Sequence, residues 1–313
     1  MVKYYIGLHG EFDKRKYEKD FTDHISGIEL CNFKSTEEVD EIYALSLSEA
    51  FDLGVHFPLF QSSYKYRDPL VTSHDSGEVE AAFDAIENEL VYSRNINAKY
   101  LLIHFPKPML IDKRMDFSLV KYQAYDAIAS EAYTEESFVL ACKQALIRLS
   151  ALSLKHEIPI VLELEFMNNW FYSGDWFVEA LDQNKALSVC LDMARIHLQN
   201  HMDPGFDQYD FVRKLSKYTR VLHVANLQIR ESDTVRHHPA FPELLEENGW
   251  ANIEKLLSCL DDRSRLQSVL FEHRTEGVGR EKVITCYEWV VRLLLENTLL
   301  KTYGGQNDNL QTG

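Results

Sequence analysis

Eight short apolar runs, spaced along the chain by longer polar and amphipathic stretches, constrain this sequence more than any other feature. The runs are 3–8 (KYYIGL), 27–31 (GIELC), 53–57 (LGVHF), 99–104 (KYLLIH), 158–163 (IPIVLE), 187–192 (LSVCLD), 219–224 (TRVLHV) and 267–272 (QSVLFE). Each has strand length and ends at polar or turn residues. Segments such as 78–96, 136–156 and 282–300 instead repeat their apolar residues every three or four positions, as helices laid on a sheet do. Eight strands alternating with helices and no linker at the midpoint predict an α/β fold, a single (β/α)8 TIM barrel over residues 1–301, with a polar tail at 302–313. A doubly wound sheet is the rival. It would more often carry a glycine-rich phosphate turn, and neither G-x-G-x-x-G nor G-x-x-x-x-G-K-[ST] occurs.

The ends of these runs carry the chemistry. The first ends near His9, the third near His56 and the fourth at His104. The fifth ends at Glu163 with Glu165 two residues on, the sixth at Asp192, the seventh at His223 and the eighth at Glu272. In a barrel these positions converge on one face. Carboxylates and imidazoles crowded there repel or resist desolvation unless a cation neutralises them. Taken singly, each has a plainer explanation. A strand-end histidine is more often a hydrogen-bonded structural residue, Asp192 suits a helix N-cap, and Glu272 has Arg274 and Arg230 as alternative partners. Taken together, oxygen and nitrogen donors delivered by separate strands suit Mn²⁺, Mg²⁺, Co²⁺ or Zn²⁺, and a divalent metal site is the expectation. Glu163 and Glu165 point the same way. Glu163, at the depth of Asp192 and Glu272, is the favoured ligand; Glu165, about one layer higher, is left to substrate or a supporting role.

Two long connections, 58–76 and 105–133, follow the third and fourth strands and are candidates for pocket walls or for solvated insertions. In MNNWFYSGDWF (167–177), Trp170 is the pocket candidate, while Trp176 and Phe177 are assigned to a helix packed on the barrel. Composition narrows the partners. Lys+Arg 33 against Asp+Glu 49 gives a net charge of −16, the wrong sign for a surface that holds nucleic acid by its phosphates. Five cysteines without C-x-x-C spacing argue against disulfides and thiolate zinc, and Cys31, Cys142 and Cys190 are assigned to the core. No apolar run approaches the ~20 residues of a membrane span, and the N-terminus enters a strand at once, so a cytoplasmic protein is expected. Oligomeric state is not legible.

The ordered series VKYYIGLHG, GIEL, GVHFP, LLIHFP, IPIVLE, SVCLD, VLHVAN, HH and VLFE resembles the xylose isomerase-like TIM-barrel superfamily, from Lys3 to the helix after Glu272. That superfamily contains sugar and sugar-phosphate isomerases and epimerases and the endonuclease IV family. The resemblance implies a metal held by Glu163, Asp192, His223 and Glu272. In the nuclease branch it implies a second metal sharing Glu163 with His56 and His104. A third metal is not expected, because Arg195 stands three residues after Asp192 where that branch has histidine. In VRHHP (235–239), His237 matches a histidine of the pattern, but Val235 stands where aspartate should be. The sugar-epimerase grip is not reproduced either, since Arg195 and Ile229 replace its histidine and arginine. Arg195 and Arg230 are then candidates to clamp a phosphate or carboxylate, or else to pair with strand-end acids.

The function implied is a divalent-metal-dependent isomerase or epimerase, acting on a small sugar or sugar-phosphate-like molecule by proton transfer through an enediolate. Glu163 and Glu272 are the acid–base pair, and His9, Glu165, Trp170, Arg195 and His237 are the substrate contacts. Metal-dependent hydrolysis and a non-catalytic barrel are the alternatives.

Overall fold

The computed structural model describes residues 1–61, 63–120 and 127–304, with side chains up to residue 295. Eight parallel strands close a barrel: β1 (Lys3–His9), β2 (Gly27–Phe33), β3 (Asp52–Phe60), β4 (Leu101–Phe105), β5 (Ile160–Leu164), β6 (Leu187–Asp192), β7 (Thr219–His223) and β8 (Ser268–Phe271). They neighbour one another in chain order, and β8 returns to β1 with Val269 opposite Tyr4. The expected (β/α)8 barrel is therefore the observed fold. The largest boundary difference is in β3, which runs on through Pro58 to Phe60 because Phe57 and Leu59 continue its buried pattern.

Helices α1 (Lys14–Asp20), α2 (Thr36–Glu49), α3 (Ser76–Asn95), α4 (Glu135–His156), α5 (Asn169–Tyr172), α6 (Trp176–Gln183), α7 (Met193–Met202), α8 (Gln208–Leu215), α9 (Ile253–Ser258) and α10 (Arg280–Gly304) surround the strands. The side chain of Asp75 starts α3 by accepting the N–H groups of Gly77 and Glu78, and a Thr134–Ser137 capping box starts α4. Phe138, Cys142, Ala145, Leu146 and Leu149 recur at helical spacing and bury one face of α4. Burying such an apolar side chain contributes roughly 1.5–3 kcal/mol each for the larger ones, which is what fixes the helix in place. By length and composition alone α4 would also pass for a membrane span. Of the tail expected at 302–313, residues 302–304 belong to α10, and 305–313 lie outside the described residues.

Inside the barrel, Tyr5, Tyr100, Leu102, Val161, Cys190, Val221 and Leu270 form a buried floor. Two glycines make room for its rings. A Cβ on Gly54 would stand 2.5 Å from the Tyr100 ring, and one on Gly27 would stand 2.5 Å from that of Tyr5. Above this floor the barrel opens at the carboxyl ends of its strands. All five cysteines are free, and Cys142 and Cys190 are buried as expected. Cys31 is not a core residue. It follows Gly27 and Glu29 on the inward face of β2, reaches the open end, and is only half-buried.

Candidate metal centre

A cavity of about 800 Å³ opens over the strand ends, with His9, Cys31, His56, Arg195, His237 and Glu272 in its lining. Beneath it the strand register brings the donors together: His104 lies opposite Glu163, and Asp192 opposite His223. Glu163 is 1% exposed. Its Oε2 lies 3.3 Å from Nε2 of both His56 and His104 and 3.7 Å from Nδ1 of His223. Nδ1 of His223 is also 3.5 Å from Oε2 of Glu272. Four overlapping donor sets result among the described residues, including His56–His104–Glu163 and Asp192–His223–Glu272, the atoms of each within 4.8 Å of one another.

The fit to a cation rests on what these atoms lack. Neither oxygen of Glu163, nor Nε2 of His104, nor either ring nitrogen of His223 makes a hydrogen bond, although all are buried. Buried polar atoms are ordinarily satisfied, and ionisable ones left bare are expensive. Carboxylate and imidazole donors converging in this way suit a divalent first-row ion or magnesium.

Protein cations share the neutralisation, which corrects the expectation that bound metal alone holds the acids. Arg195 lines the cavity, but its guanidinium is turned to the acids. Nε lies 2.8 Å from Oε1 of Glu163 and donates to Oδ2 of Asp192 at 3.1 Å, while Nη1 donates to Oε1 of Glu165. Asp192 does both jobs its position allows. Oδ1 accepts the N–H groups of Ala194 and Arg195 at 2.8 and 3.1 Å, capping α7, and Oδ2 faces the site. Lys107, 2% exposed, places Nζ 2.7 Å from Asp68 and 2.8 Å from Glu165. Glu165 is thus bound by two cations, whereas Oε2 of Glu163 faces three imidazoles.

Three supporting residues escaped the sequence reading. Nδ1 of His104 donates to Asp68 at 2.7 Å, which sets the tautomer and turns the Nε2 lone pair to Glu163 and His56. Lys107 in turn fixes Asp68. Glu29 accepts from the Tyr100 hydroxyl at 2.7 Å and faces Nε2 of His223 at 3.4 Å. Only Glu29 left a signal, an acid inside the otherwise buried run GIELC. Asp68 and Lys107 come from the two long connections, where no periodicity marks a residue.

Electrostatics follow from this crowding. Burial pushes Glu272 upward, but His223, 3.5 Å away, outweighs it and holds the carboxyl at about 2. Glu163 is also held well below the carboxylate range, against burial, by His104, Arg195 and His223. Asp192 goes the other way, raised well above its usual value by burial and by Glu272 and Glu163. Burial disfavours charged His56 and His223, yet neighbouring thiols and carboxylates raise both well above an ordinary histidine. Burial raises Cys31 as well, but His56 and His9 bring its thiol down to about 7.

The remaining expected contacts divide. His9 and His237 line the cavity; Nδ1 of His237 donates to the carbonyl oxygen of Glu272 at 3.1 Å. Trp170 does not line it. Its ring packs against Phe138, 6.3 Å between centroids, and its carbonyl accepts from Trp176, so the α5 turn carries it onto the outer core. Phe166 and Val120 supply apolar wall instead. Trp176 and Phe177 lie in α6 on the barrel, as expected. Arg230 hydrogen-bonds Gln228 and faces Asp233 outside the lining, whereas Arg67, Arg236 and Arg274 are in it. The connections after β3 and β4 do wall the cavity, through Arg67 and Val120.

A closed parallel barrel with a charged donor cup at its carboxyl face defines the class of fold. No protein-family model matches the sequence, and no curated protein matches it. Solved structures do. A D-tagatose 3-epimerase-like protein superposes with a TM-score of 0.62 at 12% identity, over 95% of this chain and 100% of that one. A xylose isomerase-like TIM barrel protein from Mycobacterium smegmatis, in complex with magnesium, gives 0.53 at 11% over 87% and 85%. An AP endonuclease, family 2, from Brucella melitensis gives 0.52 at 14% over 87% and 93%. At 11–14% identity these likenesses show the fold, the single (β/α)8 barrel that the eight apolar runs predicted.

Proposed function

We propose that the protein is a divalent-metal-dependent isomerase or epimerase that moves a proton at the carbon beside the carbonyl of a sugar-like substrate. The observation that carries this reading is Glu163, a buried carboxylate without a hydrogen bond that faces three imidazoles beneath an open cavity. A volume of about 800 Å³ accommodates a sugar-sized ligand. The likeness to a D-tagatose 3-epimerase-like protein supports the reaction class.

Glu163, Asp192, His223 and Glu272 would hold the catalytic ion, with His56 and His104 also facing Oε2 of Glu163. When bound, the ion supplies carbonyl polarisation, which acidifies the neighbouring C–H. Glu272, held low in pKa and lining the cavity, is the group assigned to take the proton. Glu163, ionised but deeper, is the second member of the pair. Its contact with Arg195 tempers its basicity, and Arg195 also holds Asp192 and Glu165 in register with it. The test is deuterium uptake from solvent into a panel of sugars and sugar phosphates with Mn²⁺, Co²⁺, Mg²⁺ or Zn²⁺. Uptake at the carbon beside the carbonyl is expected, and a blank panel with metal-loaded protein ends the reading.

One observation favours a second reading, metal-dependent hydrolysis. The donor sets His56–His104–Glu163 and Asp192–His223–Glu272 share no residue, as separate sites for a pair of ions holding a nucleophilic water would require. Elemental analysis separates the two: two ions per chain favour ester hydrolysis, one the isomerase. Val235 and the net charge of −16 count against a nucleic-acid ester.

A further inference from the structure

We propose that Arg236 and Arg274, joined through His237, form an anion subsite at the cavity mouth that takes the phosphate or carboxylate of an anionic sugar. The sugar part of this statement rests on the function proposed above; the anion subsite does not.

Both arginines line the cavity. Their neighbourhood is fixed by backbone. Arg274 N–H donates to the His237 carbonyl at 2.8 Å, and His237 returns Nδ1 to the carbonyl of Glu272 at 3.1 Å. The two guanidinium-bearing residues thus sit on adjoining strands of chain, next to the acid assigned to proton transfer. His237 adopts φ 52°, a left-handed conformation that a residue with a side chain takes up only where its surroundings enforce it. Here that conformation serves to join the two segments.

Among the described residues, no carboxylate pairs with either guanidinium. Arg94, Arg148, Arg213 and Arg230 each face a carboxylate, and Arg195 faces three. Among the described residues, no ion pair forms at Arg236 or Arg274, in a chain whose acids outnumber its bases 49 to 33. Arg236 is also aimed: Nη2 donates to the Leu119 carbonyl at 2.7 Å and Nε to Thr234 at 2.9 Å, and among the described residues Nη1 makes no hydrogen bond. Burial and the charge of Arg195 both depress its pKa, so Arg236 lies close enough to Arg195 for the two to repel. An anion at the mouth relieves that repulsion, and guanidinium groups grip planar or tetrahedral oxyanions with paired hydrogen bonds.

The test is calorimetric titration of the full-length protein, as purified, with inorganic phosphate and with gluconate. At least one is expected to bind, and R236Q and R274Q each to weaken it roughly ten- to hundredfold. R230Q, at an arginine outside the cavity lining, is the control and is expected to match the wild type. Tighter binding of phosphate assigns a phosphorylated substrate, and tighter binding of gluconate a sugar acid. If neither anion binds, if both cavity variants bind like the wild type, or if R230Q loses as much, the subsite is refuted. The two readings fail separately. Arginine-dependent anion binding without solvent exchange refutes the isomerase alone. Exchange confined to neutral sugars and indifferent to R236Q and R274Q refutes the subsite alone.

Discussion

Two layers of the barrel interior are built from the same strands and obey opposite rules. The floor contains Leu102, Val161, Cys190, Val221 and Leu270; two residues further along each strand stand His104, Glu163, Asp192, His223 and Glu272. One step of the strand's alternation therefore turns an apolar plug into a cup of donors. In the floor the polar ends of the aromatic rings are matched: Tyr100 donates to Glu29 at 2.7 Å and Tyr5 to Asp52 at 3.3 Å. In the cup, Oε2 of Glu163, Nε2 of His104 and both ring nitrogens of His223 make no hydrogen bond. The difference teaches what each layer is for. A plug that keeps water from below lowers the local dielectric, and so strengthens whatever the cup holds as well as the penalty for holding nothing.

The largest effect is expected from Glu163→Gln, which removes the charge that faces all three imidazoles. Losing a ligand should exceed the 10–100-fold typical of losing a ligand's support, so metal affinity should fall more than about a hundredfold, and solvent exchange should vanish. The metal-free protein should stay folded, because the floor is untouched. Unchanged metal content in this variant would break the comparison outright.

Gly54→Ala attacks the other layer. Its new Cβ would meet the Tyr100 ring at 2.5 Å, and overpacking of this kind costs roughly 1–3 kcal/mol. Urea or thermal unfolding should register the loss, while metal bound per folded molecule stays the same. If metal binding falls with stability, floor and cup are one unit.

Asp68→Asn probes the support beneath the cup. It weakens the acceptor that sets the tautomer of His104 and leaves Lys107 with Glu165 alone. Metal affinity is expected to drop about 10–100-fold. A drop in stability with no change in affinity would make Asp68 a partner for Lys107 and nothing more.

The layers also explain which parts were legible in the sequence. The donors stood out because an inward position at a strand's carboxyl end is marked twice, by the period of two and by the end of the apolar run. Barrel closure then places them together without any knowledge of side-chain geometry. Arg195 was visible as a residue three past Asp192, but whether it faced substrate or acids depended on the capped start of α7, which turns it back toward Glu163. Cys31 was misread because its apolar neighbours suggested core, although it shares the phase of Glu29. Trp170 was misread for a related reason: a cluster of aromatic rings states that surface will be buried and says nothing about the direction. Asp68 and Lys107 come from connections, where contact partners are set by tertiary path alone.

The smallest effect, a pH slope, is the sharpest divider of the two layers. In the metal-free cup, His56 and His223 are raised well above 6.5, and Asp192 well above the carboxylate range. A group raised on folding stabilises fully below its unfolded pKa, and that contribution is lost as pH climbs through the folded value. Cys31, lowered to about 7, works the other way, but the three raised groups outnumber it, so the metal-free protein should lose stability as pH rises past neutrality. Bound metal reverses the slope, since it needs imidazoles without their protons and binds more tightly as they are removed. The floor adds nothing to either trend: burial and neighbouring acids push the hydroxyls of Tyr5 and Tyr100 upward, out of the window. Melting curves of metal-loaded and EDTA-treated protein should accordingly diverge between about pH 6 and 9, with the gap widest at the alkaline end. Parallel curves would mean that the cup's protons and the ion do not compete for the same atoms, and that the donors assigned here hold no metal.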